Sequence, residues 1–354
     1  MVTKSRLITQ KHNLLLTKTT MIIQFDNKAT SEDKEAVAER LKQLKYKTTM
    51  VKTQVREYLV GIGKQAFDIR TLGHMKGISD VHIVSDDYKL VSSKWKVGES
   101  AIDLGDGVKI GGGSFGIMAG PCSIEGEENV EETIAHLKAM NVKIMRGGVF
   151  KPRSSPYSFR GIGIDGLKMW HEQTKAAGIK IITEVMQVSQ IEEMYPYVDI
   201  FQVGARNTQN FNLLDELGRI DKPVMIKRGI SGTIDELLQS AEYVFSGGNE
   251  KLLLCERGIR TYERAARNTF DINAIPILKE KSHLPVIADT SHGIGLREFV
   301  EPITLAATVA GADGVIVEVH KLPEKAFSDG QQTLDYDESQ RLVKKLRQLV
   351  EWRG

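Results

Sequence analysis

Disulfide scaffolding is excluded at the outset, because the 354-residue chain holds only two cysteines, Cys122 and Cys255. Such sparing use fits a reducing cytoplasm. No apolar run approaches the roughly 20 residues needed to cross a bilayer. The basic, Thr-rich start MVTKSRLITQKHNLLLTKTT also lacks the continuous apolar segment of a signal peptide. An excess of charge of one sign is missing too, since 48 Lys plus Arg face 46 Asp plus Glu. The totals therefore point to neither nucleic acid nor a membrane surface, and any basic cluster must be argued locally. What remains is the composition of a soluble globular protein, long enough for one large domain and one small one.

The small domain comes first. Residues 1–20 read as a disordered tail or upstream extension, and the first clean strand pattern begins at Met21. MIIQF predicts a strand and SEDKEAVAERLKQL a helix, with Thr30 or Ser31 as N-cap and Val37, Leu41 and Leu44 on one face. TTMVKT and EYLVGIG come next as strands, QAFDIRTLGHM as a second helix and DVHIVS as a last strand. The order βαββαβ is that of a ferredoxin-like split unit, placed at 21–92. Residues 93–114 form a linker whose segment DLGDGVKIGGGSFGI predicts a hairpin plugging the bottom of the larger C-terminal domain.

From residue 115 to 354 the pattern becomes regular. Apolar runs (FGIMAGP, VKIMRGG, IKIITEV, DIFQVGA, PVMIKRG, KLLLCERG, PVIADTSH, GVIVEVH) alternate with amphipathic stretches such as ENVEETIAHLKAM and TIDELLQSAEYVF. In the latter, Thr233 and Glu236 make a capping box. Eight strand–helix repeats over this length give an α/β chain with a (β/α)8 TIM barrel behind the ferredoxin-like domain. An open doubly wound sheet is the alternative, but no GxGxxG turn follows the first strand.

Each run ends on a polar residue that a strand interior would not choose: Cys122, Arg146, Glu184, Arg206, Lys227, Arg257, His292 and Glu318 in turn. In a closed parallel barrel these ends meet at one rim, where barrel enzymes place their sites. Cys122, His292 and Glu318, joined by Asp329 in the last loop, offer a thiolate, an imidazole and two carboxylates. Such mixed donors suit Mn, Fe, Co or Zn better than Mg. Against this, a Cys after Gly-Pro can be a mere small core residue, and Asp329 in SDGQQ a turn former. Cys255 reads as an inert interior residue. The cations Arg146, Lys151, Arg153, Arg206, Lys227 and Arg257 would repel one another in a shared pocket unless anions compensate. Their number suits two phosphorylated substrates, one also bearing a carboxylate. Alternation along a strand lets only one of Lys227 and Arg228 enter the barrel, which leaves Arg228 as a solvated charge.

The segments AGPCSIE, RGGVFKPRSSPYSF, TEV, QVGARNTQNF, IKRG, LCERGIRTYE, ADTSHGIG and EVHKLPEKAFSDGQQ resemble, in this order, the type I beta 3-deoxy-D-arabino-heptulosonate 7-phosphate (DAHP) synthases. The resemblance implies condensation of phosphoenolpyruvate with erythrose 4-phosphate, the first step of the shikimate pathway to chorismate and the aromatic amino acids. It also implies one divalent metal on Cys122, His292, Glu318 and Asp329. Arg206, Lys227, Arg257 and backbone near Ala205 would hold the phosphate of phosphoenolpyruvate, with Arg146 and Lys151 on its carboxylate side. Arg153, Ser154 and Ser155 would hold the sugar phosphate. Glu184 would order water, and Lys151 is the candidate for proton transfer. The related 3-deoxy-D-manno-octulosonate 8-phosphate synthases typically read KANRSS where this chain has KPRSS, so Pro152 and Arg153 favour the four-carbon sugar. A catalytically silent metabolite-sensing barrel is the alternative of another class.

The same resemblance implies a regulatory, ACT-like role for the N-terminal domain, with an aromatic amino acid as effector near Tyr46, Thr48, Thr49 and Val51. It further implies a cytoplasmic homotetramer.

Overall fold

The computed structural model describes residues 19–64, 68–96, 98–151 and 157–353, and their contacts divide into two units. One takes in residues up to 51 and 56–85; the other takes in 52–55 and everything from 86 on.

In the first unit β1 (Thr19–Phe25), α1 (Ser31–Gln43), β2 (Lys47–Lys52), β3 (Glu57–Gly63) and β4 (Ile78–Ile83) build a sheet of order β2-β3-β1-β4. β1 lies antiparallel to both β3 and β4. Alternation puts Met21, Ile23 and Phe25 on one face of β1, where they pack with Val37 and Leu41 of α1 and with Leu59. Thr30 caps α1 through a reciprocal box with Asp33. Two expectations are corrected. Strand β1 starts at Thr19, two residues ahead of Met21. The second helix is, among the described residues, only a 3₁₀ turn at Ile69–Thr71, capped by Asp68; residues 65–67 lie outside the described residues. Tyr46 and Val51 are buried, Tyr46 in the core of this unit, so neither presents an open effector surface.

The second unit opens with a hairpin, β5 (Ala101–Asp103) and β6 (Lys109–Gly111). Then come β7 (Gly116–Gly120), α2 (Glu127–Ala139), β8 (Ile144–Arg146), α3 (Gly163–Ala177), β9 (Lys180–Val185), α4 (Ser189–Met194), β10 (Ile200–Val203) and α5 (Phe211–Leu217). The series continues with β11 (Val224–Lys227), α6 (Ile234–Ser246), β12 (Leu252–Glu256), α7 (Ala274–Lys281), β13 (Val286–Ala288), α8 (Thr290–Ile294), α9 (Arg297–Val309), β14 (Gly314–Glu318) and α10 (Tyr336–Arg353). Strands β7 to β14 close into a barrel, with β14 parallel to β7 from Gly314↔Gly116 to Glu318↔Gly120.

Every residue of β10, β11, β12 and β14 is buried, as parallel strands covered on both faces require. Met118, Ile144, Ile182, Ile200, Met225, Leu253, Ile287 and Ile316, one from each strand, form a single apolar layer across the barrel. Ile102 and Ile110 of the hairpin join this layer, so the hairpin closes one end of the barrel as its sequence predicts.

Residues 86–100 are pinned to the barrel by buried polar groups. His283 Nε2 donates to Leu90 O at 2.8 Å while Nδ1 accepts from Ser100 Oγ at 2.8 Å, and Ser282 Oγ donates to Val91 O. Burial, with Lys96 nearby, pushes the His283 pKa down to about 3, so the folded ring is neutral. An unfolded chain takes up a proton below about 6.5 that the folded one refuses until about 3, so stability falls as pH drops through that window. The expected loss from this group between pH 7 and 5 is about 2 kcal/mol. Urea unfolding of wild type and His283→Asn at the two pH values measures it; equal acid losses in both would refute this assignment.

Candidate active site

Two residues beyond the apolar layer, period-two alternation brings the next interior position of each strand: Gly120, Arg146, Glu184, Gln202, Lys227, Cys255, Asp289 and Glu318. Hydrocarbon thus gives way to ionisable groups within one step, at the C-terminal ends of the strands. At the Gly120 position a Cβ would lie 2.2 Å from the carbonyl oxygen of Arg146, so only glycine leaves room for that strand end. Above this floor opens a cleft lined by Arg146, Lys151, Glu184, Ala205, Arg206, Lys227, Arg257, His292 and Asp329. Cys122 and Glu318 lie buried beside it. Pro152, Arg153, Ser154 and Ser155 lie outside the described residues.

One half of the cleft collects metal-ligand chemistry. Cys122, Glu318 and Asp329 offer ligand atoms that all lie within 4.8 Å of one another. His292 joins them through Glu318, its Nε2 standing 3.3 Å from Oε1. Cys122 follows β7 and Glu318 ends β14, so closure of the barrel is what makes them neighbours. Asp329 is brought in by the loop after β14, which is tied to the loop after β7 by Ser123 Oγ and Ser328 Oγ at 2.5 Å and by Phe327 N donating to Glu125. Its φ of 52° is a left-handed conformation that Asp tolerates better than most residues.

Burial opposes ionisation of Glu318, but His292 and Arg146 outweigh it and hold the carboxyl below its ordinary value. Asp329 is likewise opposed by burial and brought down to about 2 by His292, by a hydrogen bond from Cys122 and by Arg267. Burial, reinforced by Glu318, pushes the Cys122 thiol up to about 12. A buried thiol between two ionised carboxylates needs added positive charge to become a thiolate. The donor set therefore fits a divalent ion, whose binding would release that proton.

The other half is cationic. Arg146 donates to Glu318 Oε1 at 3.0 Å and to Pro121 O, yet its Nε is buried without a partner. Lys151 Nζ lies 2.9 Å from Cys122 O and 3.0 Å from its Sγ. Lys227 pairs with Asp289 at 2.5 Å. Arg206, exposed at the mouth, and Arg257, buried, enter no ion pair among the described residues. Burial, aided by repulsion from Arg267, holds the Arg257 pKa below its usual range. Two guanidinium groups without carboxylates in a walled cleft are suited to an anion.

Arg228 is corrected. It leaves the barrel interior as alternation predicts but is buried, donating to Glu256 at 2.9 Å and Asp271 at 2.8 Å. Outside a barrel strand lies the layer under the helices, so a charge there needs partners rather than water. Asp289, Arg267 and Gln332 are site residues the sequence reading missed. Asp289 accepts from Lys227 and from His292 Nδ1, and Gln332 donates to Glu318 Oε2 at 2.6 Å. Arg267 bonds Asp329 and Gln332. Counting by twos from Ile287 reaches Asp289; no comparable signal marks the other two.

Glu184 stands beside Gln202, whose Nε2 lies 3.4 Å from its Oε2. A Cβ on Gly204 would meet Glu184 Oε1 at 2.1 Å. Gly204→Ala is therefore expected to displace a flexible carboxylate at little cost in melting temperature while turnover falls by about tenfold. Unchanged kcat would show that the position of this carboxylate is immaterial.

Residues 94–352 match the family model described as the DAHP synthetase I family. A phospho-2-dehydro-3-deoxyheptonate aldolase of Thermotoga maritima is 44% identical over 335 residues, covering 94% of this chain and 99% of its own. A crystal structure of that T. maritima aldolase (DAHP synthase) superposes with TM-score 0.75 at 43% identity, over 95% of this chain and 98% of the other. A 2-dehydro-3-deoxyphosphooctonate aldolase of Geobacter sulfurreducens is 32% identical but covers 68% of this chain and 94% of its own. The barrel, its rim and these likenesses agree: the chain belongs to the DAHP synthetase I family.

Proposed function

We propose that this protein is a DAHP synthase, joining phosphoenolpyruvate, erythrose 4-phosphate and water to give 3-deoxy-D-arabino-heptulosonate 7-phosphate and inorganic phosphate, at the head of the shikimate pathway. The observation that carries the reading is the near-full-length relation to the T. maritima aldolase, against an octulosonate aldolase relation that spans about two thirds of the chain. The cleft supports it, because it sets unpaired guanidinium groups beside a thiol, an imidazole and two carboxylates.

In this reading Arg206, Arg257 and Lys227 hold the phosphate of phosphoenolpyruvate, with the backbone at Ala205 closing on it. Arg146 and Lys151 face its carboxylate. Pro152, Arg153, Ser154 and Ser155 are assigned to the sugar phosphate. The enol carbon bonds to the aldehyde carbon, water adds at the adjacent carbon, and phosphate leaves. Lys151 hands a proton to the new alkoxide oxygen, and Glu184 orders the water. The cations pre-position two anions that would otherwise repel and stabilise charge in a partly desolvated site. Cys122, His292, Glu318 and Asp329 would hold one Mn, Fe, Co or Zn ion, which supplies Lewis-acid polarisation when bound.

The N-terminal segment 21–92 is proposed as a regulatory domain responding to an aromatic amino acid, residues 93–114 as linker and hairpin, and 115–354 as the catalytic barrel. Among the described residues no helix is long and apolar enough to cross a membrane. A cytoplasmic homotetramer is proposed. Phosphoenolpyruvate consumption with erythrose 4-phosphate or arabinose 5-phosphate, with and without chelator, tests the function. Chelator-sensitive turnover with the four-carbon sugar alone is expected. Turnover with the five-carbon sugar alone would make it an octulosonate synthase, and none after metal reconstitution would make it a silent barrel.

A further inference from the structure

The cleft has two halves, and one buried carboxylate serves a residue of each. Asp289 is the interior residue that follows β13 and is 1% exposed. Its Oδ2 accepts from Lys227 Nζ at 2.5 Å, in the cationic half. His292 Nδ1 stands 3.0 Å from Oδ1 and 2.9 Å from Oδ2, and the backbone N–H of His292 also reaches Oδ1 at 3.2 Å. That double hold aims the other ring nitrogen, Nε2, at Glu318. Asp289 is the N-cap of α8, and the bond from the His292 backbone N–H is the ordinary cap contact, but a cap accounts neither for the imidazole bond nor for the bond from Lys227, which lies on another strand 62 residues away.

We propose that Asp289 is a positioning residue that couples the two halves, so that a phosphate-class anion at Lys227 and a divalent ion at His292 tighten each other's binding. This rests on the proposed function above. The carboxylate divides its hydrogen-bonding capacity between an ammonium and an imidazole N–H. An anion arriving in the cleft draws the ammonium toward itself, and the share of the carboxylate available to His292 Nδ1–H rises. A stronger bond at Nδ1 makes Nε2 the better donor to a metal. The effect is reciprocal by thermodynamic necessity: an ion on Nε2 polarises Nδ1–H, takes up more of Asp289 and frees Lys227 for the anion. Direct attraction between ion and anion through the cleft acts in the same direction, but it survives Asp289→Asn, which keeps the shape and removes the shared charge.

Calorimetric titration of manganese(II) into the metal-free full-length protein, with and without saturating inorganic phosphate, measures the coupling. Phosphate is expected to tighten manganese binding about fivefold or more in the wild type. In Asp289→Asn most of that factor disappears while both ligands still bind. A second readout needs no variant: in 15N-histidine-labelled, metal-free wild type, phosphate moves the His292 Nδ1 resonance. An equal coupling factor in wild type and Asp289→Asn, or an unmoved His292 Nδ1 resonance, overturns the inference. Binding of both ligands with no mutual effect in the wild type overturns the coupling alone. Failure of the wild type to bind manganese overturns the metal site and this inference together.

Discussion

Alanine at position 122 is expected to leave a folded barrel that retains no divalent ion and turns over at least ~10³-fold more slowly, the size of effect expected when several kcal/mol of Lewis-acid stabilisation are lost. The thiol packs little apolar area, so stability should change by no more than about 1–2 kcal/mol. What disappears is the one soft donor in the set and the contact that holds Asp329 Oδ2 at 3.2 Å. Metal content after dialysis, circular dichroism and turnover, measured on one preparation, separate the cases. Ion-dependent turnover near the wild-type rate would remove Cys122 from the set. Loss of fold alongside loss of ion would make it a packing residue instead.

Arg257→Met should separate function from stability in the opposite sense. Arg257 is buried and makes no ion pair among the described residues; burial, with repulsion from Arg267, outweighs the attraction of the Asp289 carboxylate and holds its pKa below the usual range. A folded state that carries such a charge without its anion is strained. Replacing it by an apolar chain of similar length is expected to stabilise the protein by about 1 kcal/mol. The same change removes a forked donor from the proposed phosphate site, and kcat/KM for phosphoenolpyruvate should fall on the order of a hundredfold. Residues that gain stability when lost and activity when kept mark a functional site. A destabilised variant with normal kcat/KM would assign Arg257 to the scaffold.

The barrel was legible because its parallel strands are buried on both faces, so each reads as a short unbroken apolar run ended by a polar residue. Helix starts were marked locally, by the capping box at Thr233 and by Thr30 or Ser31 as N-cap of α1, of which the structure makes Thr30 the cap. The second small-domain helix was misread because apolar spacing in QAFDIRTLGHM cannot distinguish a helix from a 3₁₀ turn capped at Asp68. At the candidate site, polar strand ends pointed to the rim where the cleft opens, but the register within it was less visible. His292 drew notice at the seventh strand, while Asp289 is the residue that alternation places inside. Arg228 was misjudged because the outside of a barrel strand is not the outside of the protein. Gln332 and Arg267 come from loops with no periodicity to count.

The measurement that tests the central claim most directly is a crystal structure of the full-length protein soaked with manganese(II) and phosphoenolpyruvate, with the ion located by its anomalous signal. The account predicts one anomalous peak enclosed by Cys122, His292, Glu318 and Asp329, with the phosphate of phosphoenolpyruvate on Arg206, Lys227 and Arg257. An ion held elsewhere, or a phosphate seated away from those cations, would contradict it.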